Sequence, residues 1–291
     1  MLKILITGGD GFIARNLSEG LNADYAVSAP NSQELNLLDP IQTSDYLKRN
    51  LFDVVIHAAT YDAAPKHSTK DPAKVLENNL KMFFNLVRGK AHFGRMIYFG
   101  SGAEYSREHW IPKMKEDYFD QHVPEDQYGF SKYIMAKYAQ LADHIYNLRL
   151  FAVFGKYEDW RVRLISSICQ AVILGQPVKI RQNNNYDFLY VDDLVKVVKW
   201  FLASQPKNRA YNICSGEDLD FKAIAEKIVG ISGKKLDILI ENKDKGKEYT
   251  GDNSLLLSEL KGFKFTPIDE SIQALYNWYA LNKREIFGGG G

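Results

Sequence analysis

A short apolar run, Lys3–Thr7, breaks directly into Gly8-Gly9-Asp10-Gly11, and Ile13–Leu21 continues as a helix. A strand that becomes a helix through so few residues, most of them glycine, leaves few folds open. The same alternation then recurs along the first half. Tyr25–Ala29 reads as a weaker strand. Asp39-Pro40 opens a helix, with Asp as N-cap and Pro at the first helical position. Asp53–His57 is a buried strand, Ala73–Lys90 a long helix, Arg95–Phe99 a strand, Tyr128–Leu141 a helix and Asn147–Phe151 a strand. Nearly continuous apolar strands alternating with helices predict an α/β fold: a doubly wound parallel sheet covered on both faces.

The second half is less regular. Val162–Leu174 and Val191–Leu202 read as helices, Val178–Arg181 as a short strand and Ala210–Ile213 as one more strand of the sheet. Phe221–Val229 and Glu270–Lys283 have amphipathic helical spacing. The expected division is a sheet domain of residues 1–154 and 187–215, with a smaller α/β C-terminal lobe of residues 155–186 and 216–287 closing over a ligand. Gly288–Gly291 reads as a linker or tag remnant, and the charge cluster Glu241–Glu248 as a solvated loop.

Composition excludes several classes of function. A hydrophobic content of 45% rules out a disordered chain, and a net charge of +1 lacks the electrostatic footprint of a nucleic-acid binder. No apolar stretch approaches the ~18 residues of a membrane helix. The start runs straight into glycines and lacks a signal peptide's apolar length. Cys169 and Cys214 are the only cysteines, too few for a disulfide framework or a Cys-rich zinc site, so no metal is expected. The expectation is a reduced, cytoplasmic setting.

The glycine turn has a specific chemistry. Gly8 permits the sharp turn, Gly11 lets a phosphate approach the backbone, and Ala14 lets helix and strand pack closely. The helix N-terminus then offers free N–H groups and the positive end of its dipole to a pyrophosphate. Gly8, Gly9, Asp10, Gly11, Phe12 and Ile13 are therefore the candidate dinucleotide residues. The end of the second strand, Ser28-Ala29-Pro30-Asn31-Ser32, carries neither the acid that would hold a ribose 2′-hydroxyl nor an Arg for a 2′-phosphate. Arg15 reads as a solvated helix residue. The missing acid favours NADP(H), with NAD(H) as the alternative.

Tyr128-Gly129-Phe130-Ser131-Lys132 places a phenol and an ammonium four residues apart, on one face of a helix. Tyr133…Lys137 and Tyr279…Lys283 share that spacing, so context has to separate them. Tyr128 follows a polar loop at a helix start, whereas Tyr279 belongs to the terminal helix, where aromatic packing is expected. Ser101 follows the strand Arg95–Phe99, at the carboxyl end where open α/β sheets bind ligands.

Taken in order, several blocks resemble the extended short-chain dehydrogenase/reductase family of nucleotide-sugar epimerases, dehydratases and 4-ketoreductases. They are TGGDGFIA at Thr7–Ala14, DVVIHAA at Asp53–Ala59, Asn79, FGSGAEY at Phe99–Tyr105, YGFSK at Tyr128–Lys132, LRLFAVFG at Leu148–Gly155, YDFLYVDDL at Tyr186–Leu194 and YNICSG at Tyr211–Gly216. The resemblance implies a Rossmann-type sheet and hydride transfer between a nicotinamide and a sugar carbon. It implies Tyr128 as the proton-transfer group, Ser101 bonding the sugar oxygen, and Lys132 holding the nicotinamide ribose while lowering the Tyr128 pKa. It places Asn36, Leu37, Ala58, Ala59, Asn79, Phe99, Gly100, Phe151 and Val153 on the cofactor. His57 joins them, with a packing role preferred over a catalytic one. Thr60, Gly102, Ala103, Ala152, Arg161, Arg163, Arg181 and Tyr186 are placed on the substrate side.

Departures from the family pattern narrow the chemistry. Gly102 and Ala103 stand where the 4,6-dehydratases carry an acid pair, so dehydration is not expected. Ala103 also stands where epimerase-reductases carry a Cys, which argues against 3,5-epimerisation. Reduction of a 4-keto (deoxy)sugar nucleotide is the expectation. A nucleotide-sugar 4-epimerase is the alternative, and a non-catalytic dinucleotide-binding relative the second. Ala152 replaces a common Asn, and Tyr186 a common Arg, which leaves Arg161, Arg163 and Arg181 as candidate partners for the diphosphate. The resemblance also implies a homodimer paired through the helices Ala73–Lys90 and Tyr128–Leu141, with Met82, Phe83, Phe84, Tyr133 and Met135 as its apolar face or, equally, as core packing.

Overall fold

The computed structural model describes residues 1–62, 68–244 and 246–288; the last three glycines of the terminal run, and Lys245 of the charge cluster, lie outside the described residues. The first half runs β1 (Lys3–Ile6), α1 (Phe12–Leu21), β2 (Ala26–Ser28), α2 (Pro40–Asn50), β3 (Phe52–His57), α3 (Val75–Arg88), β4 (Phe93–Ser101), α4 (Gln127–Leu141) and β5 (Ile145–Leu150). It continues as β6 (Val153–Phe154), α5 (Leu164–Ile173), β7 (Val178–Gln182), β8 (Asn185–Asp187), β9 (Leu189–Tyr190), α6 (Val191–Ala203) and β10 (Ala210–Ile213). The remainder is β11 (Asp218–Asp220), α7 (Phe221–Ser232), β12 (Ile238–Asn242), β13 (Glu248–Tyr249), α8 (Ser254–Glu259), α9 (Ile268–Leu281) and α10 (Lys283–Phe287).

Six strands form one parallel sheet in the order β10-β5-β4-β3-β1-β2. The chain leaves β1 to one side for β2 and crosses back for β3. This reversal opens a crevice at the carboxyl ends of the strands, where ligands bind in such sheets. Both faces are buried because the side chains alternate. Ile4, Ile6, Val54 and Ile56 pack in a core with Leu17 of α1 and Val198 of α6. Leu5, Val55 and Tyr98 pack in the opposite core with Leu47, Phe83 and Met135 of α2, α3 and α4. The start of α2 is as its sequence predicts: the Asp39 carboxylate accepts from the Ile41 and Gln42 N–H groups at 2.8 and 3.0 Å, with Pro40 at the first position.

A second group of elements has its own core. β7 pairs with β12, β8 lies between β11 and β13, and α5, α7 and α9 cover them through residues such as Ile168, Ile224 and Leu275. Differences from the sequence reading concentrate here. The shortest strands have two or three residues, too few to show a period. The charge cluster is not wholly a loop, since Glu241 and Asn242 end β12 and Glu248 begins β13, although Glu241–Asp244 are exposed. Helix α8 returns to the large sheet, where Leu256 and Leu260 pack with Tyr211 and Ile213 of β10 rather than with the smaller core. The apolar outer edge of β10 needs that cover. Among the described residues, no helix is long and apolar enough to cross a membrane.

Candidate active site

The glycine turn between β1 and α1 is required by close approach. Gly8 has φ +74°, and a Cβ there would stand 3.0 Å from the Ala59 Cα. A Cβ on Gly9 would stand 2.0 Å from the Ala29 carbonyl oxygen, and the Gly9 N–H donates to the Pro30 carbonyl at 3.0 Å. The turn is thus pinned to the ends of β2 and β3. Gly11 is the N-cap of α1 with no side-chain acceptor, and the first turn of α1 holds no acid. Its N–H groups remain for an anion, so this segment fits a dinucleotide pyrophosphate. Asp10 is exposed at the turn, and Phe12 and Ile13 are half-buried.

Several residues expected on the cofactor instead support the turn. The Thr7 hydroxyl accepts the Ala59 N–H at 3.0 Å and lies 3.0 Å from His57 Nδ1, which fixes Ala58 and Ala59 at the crevice. His57 is buried between the Phe83 and Tyr98 rings, and burial pushes its pKa down to about 3. A neutral imidazole in that position packs and orients; it is not exposed to a ligand. Asn79 is likewise fully engaged. Its carbonyl accepts the Tyr61 N–H at 2.8 Å and the Thr60 hydroxyl at 3.4 Å, and its amide donates to the Tyr61 carbonyl and the Ser131 hydroxyl. Asn79 therefore holds the segment after β3 in place. Asn36 is exposed, and the Leu37 carbonyl accepts from Asn85 at 2.8 Å.

The end of β2 differs from its appearance in the sequence. The Glu34 carboxylate folds back and accepts the Asn31 N–H at 2.9 Å, which brings an acid to a stretch that carries none of its own. Arg15 lies on the Tyr157 ring at 3.7 Å.

Ser101 ends β4 and caps the turn Gly102–Tyr105. Its hydroxyl accepts the Ala103 N–H at 3.1 Å, while its own N–H donates to the Glu104 carboxylate at 3.1 Å. Glu104 is buried and receives Arg149 Nε at 2.6 Å and the Asn147 amide at 3.0 Å, so a buried ion pair anchors this turn. Helix α4 starts where Asp126 accepts the Gly129 N–H at 2.9 Å, which sets Tyr128 in the first turn and Lys132 one turn later. Lys132 Nζ donates to the Phe99 carbonyl at 2.8 Å and stands 5.8 Å from the centre of the Tyr128 ring. The phenol in turn reaches the Ser101 hydroxyl. The structure thus brings the three expected groups together.

One electrostatic expectation is reversed. The Tyr128 pKa lies above the ordinary phenol value, not below it, because burial dominates and the Asp62 charge adds to it. Ser101, Arg163 and Arg107 oppose that shift only in part. The Lys132 ammonium is held at the Phe99 carbonyl, and burial lowers its own pKa to about 8. At neutral pH the phenol is protonated and is a proton donor.

On the substrate side the candidates separate. Arg163 pairs with Asp62 at 3.4 Å, and its charge acts on the Tyr128 phenol. Arg161 is held by Asp159 at 2.8 and 3.0 Å, and Arg181 is exposed on β7. Ala103 is buried under the turn rather than lining a cleft. Gly100 is buried, and a Cβ there would meet Glu104 and Asn147. Phe151, expected on the cofactor, is fully buried and packs on Tyr249 at 4.9 Å between ring centres, with Tyr186 edge-on to Tyr249 at 5.2 Å. Ala152 adopts φ +21° and, like Val153, is half-buried.

Sequence reasoning missed Glu104, Arg107 and Tyr249. Glu104 was available from the Ser-x-x-Glu spacing of a capping box. Nothing local marks the other two. Arg107 pairs with Asp126 at 3.3 Å and acts on the Tyr128 and Tyr249 phenols, while Tyr249 arrives from the far end of the chain.

Residues 4–214 match the NAD dependent epimerase/dehydratase family. The ADP-L-glycero-D-manno-heptose-6-epimerase of Cupriavidus pinatubonensis is 26% identical over 257 residues, covering 77% of this chain and 76% of that protein. The UDP-glucose 4-epimerase of Lacticaseibacillus casei is 25% identical over 280 residues, covering 84% and 82%. Among solved structures, the GDP-mannoheptose C4 reductase of Campylobacter jejuni with NADP bound superposes with a TM-score of 0.83 at 20% identity, covering 96% of this chain and 98% of that one.

Proposed function

The chain belongs to the NAD dependent epimerase/dehydratase family, and from that premise we propose that it reduces the 4-keto group of a (deoxy)sugar nucleotide. A bound nicotinamide dinucleotide supplies the hydride. The glycine turn Gly8–Ile13 would hold its pyrophosphate and Lys132 its nicotinamide ribose. Tyr128 donates the proton to the sugar oxygen as that oxygen takes up charge, and Ser101 hydrogen-bonds the same oxygen. Arg163 and Arg107, whose charges act on the phenol, are the proposed partners of the substrate diphosphate.

The observation that carries the reading is a protonated phenol beside Ser101, with no carboxylate or thiol on the two residues that follow Ser101. Elimination and carbon epimerisation next to the ketone each need a further acid–base group, whereas ketone reduction needs only the donor. The test is anaerobic mixing of protein and NADPH with a panel of nucleotide-4-keto-6-deoxysugars, followed at 340 nm. Stoichiometric loss of absorbance is expected, and no loss with any member would overturn the reading.

A 4-epimerase is the second reading, supported by the likeness to UDP-glucose 4-epimerase. Oxidised dinucleotide that stays bound through purification, with no net consumption on turnover, would favour it. NADP(H) is proposed as the form used, supported by the NADP-bound C4 reductase among the neighbours. A homodimer through α3 and α4 completes the proposal. Met82, Phe83 and Met135 are buried within the chain, so Phe84, Tyr133 and Tyr138, all half-buried, are left to form its face.

A further inference from the structure

The two carboxylate oxygens of Asp126 have separate partners. Oδ1 caps α4 by accepting the Gly129 N–H at 2.9 Å, and Oδ2 lies 3.3 Å from Arg107 Nε. Arg107 follows the buried Ser106, which leads the chain out of the Ser101 turn at φ +60°. Lys247 fixes this stretch by donating to the Arg107 carbonyl at 3.3 Å and to the Glu108 carboxylate at 3.1 Å. The guanidinium carbon of Arg107 stands 5.5 Å from the centre of the Trp110 ring, whose indole N–H donates to the Gly102 carbonyl at 3.2 Å. The guanidinium is therefore tied on one side to the residue after Ser101 and on the other to the start of the helix that carries Tyr128. Those two segments touch, since a Cβ on Gly129 would stand 3.0 Å from the Ala103 carbonyl oxygen.

The Arg107 and Asp126 side chains are 44% and 41% exposed, and an ion pair so exposed adds little to folding stability. What it does is restrict a long side chain that would otherwise sample many rotamers. Only Nε faces the carboxylate. Among the described residues no acceptor lies on the two terminal nitrogens, and their N–H groups form a fork that matches a pair of phosphate oxygens. The neighbouring arginines differ: Arg163 has a terminal nitrogen on Asp62, and Arg161 has both Nε and a terminal nitrogen on Asp159.

We propose that Asp126 is a positioning residue for substrate binding: it holds Arg107 by Nε so that the open edge of the guanidinium meets the diphosphate of the sugar nucleotide. Because the same carboxylate caps α4, the anion is placed in register with the helix that carries the proton donor. This role rests on the sugar-nucleotide reading above and deepens it, by naming the cation that is set in place before substrate arrives.

Asp126→Asn tests it, because the amide oxygen still caps the helix and only the charge facing Arg107 is lost. An unchanged thermal midpoint is expected, with kcat within about twofold and KM for the keto-sugar nucleotide raised about fivefold. In an Arg107→Gln background the same change should not raise KM, since there it removes only the repulsion between two anions. A rise of equal size in both backgrounds, or a rise in neither, overturns the proposal. If the wild-type protein turns over no keto-sugar nucleotide, the ketoreductase reading has failed by itself. Titration of the NADPH-loaded protein with GDP and with UDP then decides the role of Asp126. The dissociation constant of the tighter nucleotide should rise about fivefold on Asp126→Asn when Arg107 is present and should not rise in the Arg107→Gln background. Absence of that difference, or of binding of either nucleotide to the wild type, rejects it.

Discussion

Burial keeps the Tyr128 phenol protonated beside Ser101, so its proton can be removed from the reaction without disturbing the fold. Tyr128→Phe is expected to lower kcat by about a thousandfold, the range of a positioned general acid. Dinucleotide affinity, measured by quenching of protein fluorescence, should stay within about twofold. A fully active variant would refute the assigned chemistry. Glu34 matters for the choice of cofactor. Its carboxylate sits on the Asn31 N–H, next to the Pro30 carbonyl that pins the glycine turn. A negative charge there opposes a 2′-phosphate, and its removal relieves that repulsion. Glu34→Gln is expected to shift the ratio of NADPH to NADH dissociation constants toward NADPH by about threefold, read by parallel titrations at low salt. A ratio that does not move would show that the carboxylate lies outside the ribose site.

Single elements carry the next set of expectations. Asp39 satisfies two N–H groups at the start of α2. Asp39→Ala should cost about 1 kcal/mol, measured as a lower midpoint in urea with an unchanged slope. The element that joins α5 to the loop after β6 responds to pH. Glu158 is buried, accepts the Ser166 hydroxyl at 2.6 Å, and has its pKa raised by burial from 4.5 to about 8. Between those values the folded chain keeps a proton that the unfolded chain has released. The contribution of Glu158 to stability is therefore whole below about pH 4.5 and is lost as pH rises toward 8, at up to roughly 1.4 kcal/mol per pH unit. Glu158→Gln should flatten that dependence. The thermal midpoint of the variant should fall less than that of the wild type between about pH 5.5 and pH 8, and parallel curves would count against the assignment.

At the scale of the whole molecule, the smaller core is tied to the sheet by a buried carboxylate. Asp187, at the end of β8, accepts the Ser215 N–H and hydroxyl at 2.7 Å and the Gly216 N–H at 2.8 Å, just beyond β10. Asp187→Ala removes the acceptor of the N–H and hydroxyl of half-buried Ser215 and of the N–H of exposed Gly216, and should cost about 2 kcal/mol, lowering the thermal midpoint by roughly 4–8 °C. The same junction positions β13, since β8 pairs with β13 at Tyr186 and Tyr249.

The sequence by itself determined what local pattern controls. Period-two apolar strands alternating with helices specified the parallel sheet. Glycines between β1 and α1 specified the phosphate-binding turn, and a four-residue spacing put Tyr128 and Lys132 on one helix face. The Asp39-Pro40 cap was legible for the same reason, as each of these features is written within a few consecutive residues. Only the tertiary structure decided what depends on burial or on distant segments meeting. It reversed the sign of the Tyr128 pKa shift, made His57 a neutral support and used up the Asn79 amide inside the chain. It also brought Glu34 to the end of β2, and Arg107 and Tyr249 to Ser101 and Tyr128. Desolvation and long-range proximity have no period along a chain, so no spacing of residues could announce them.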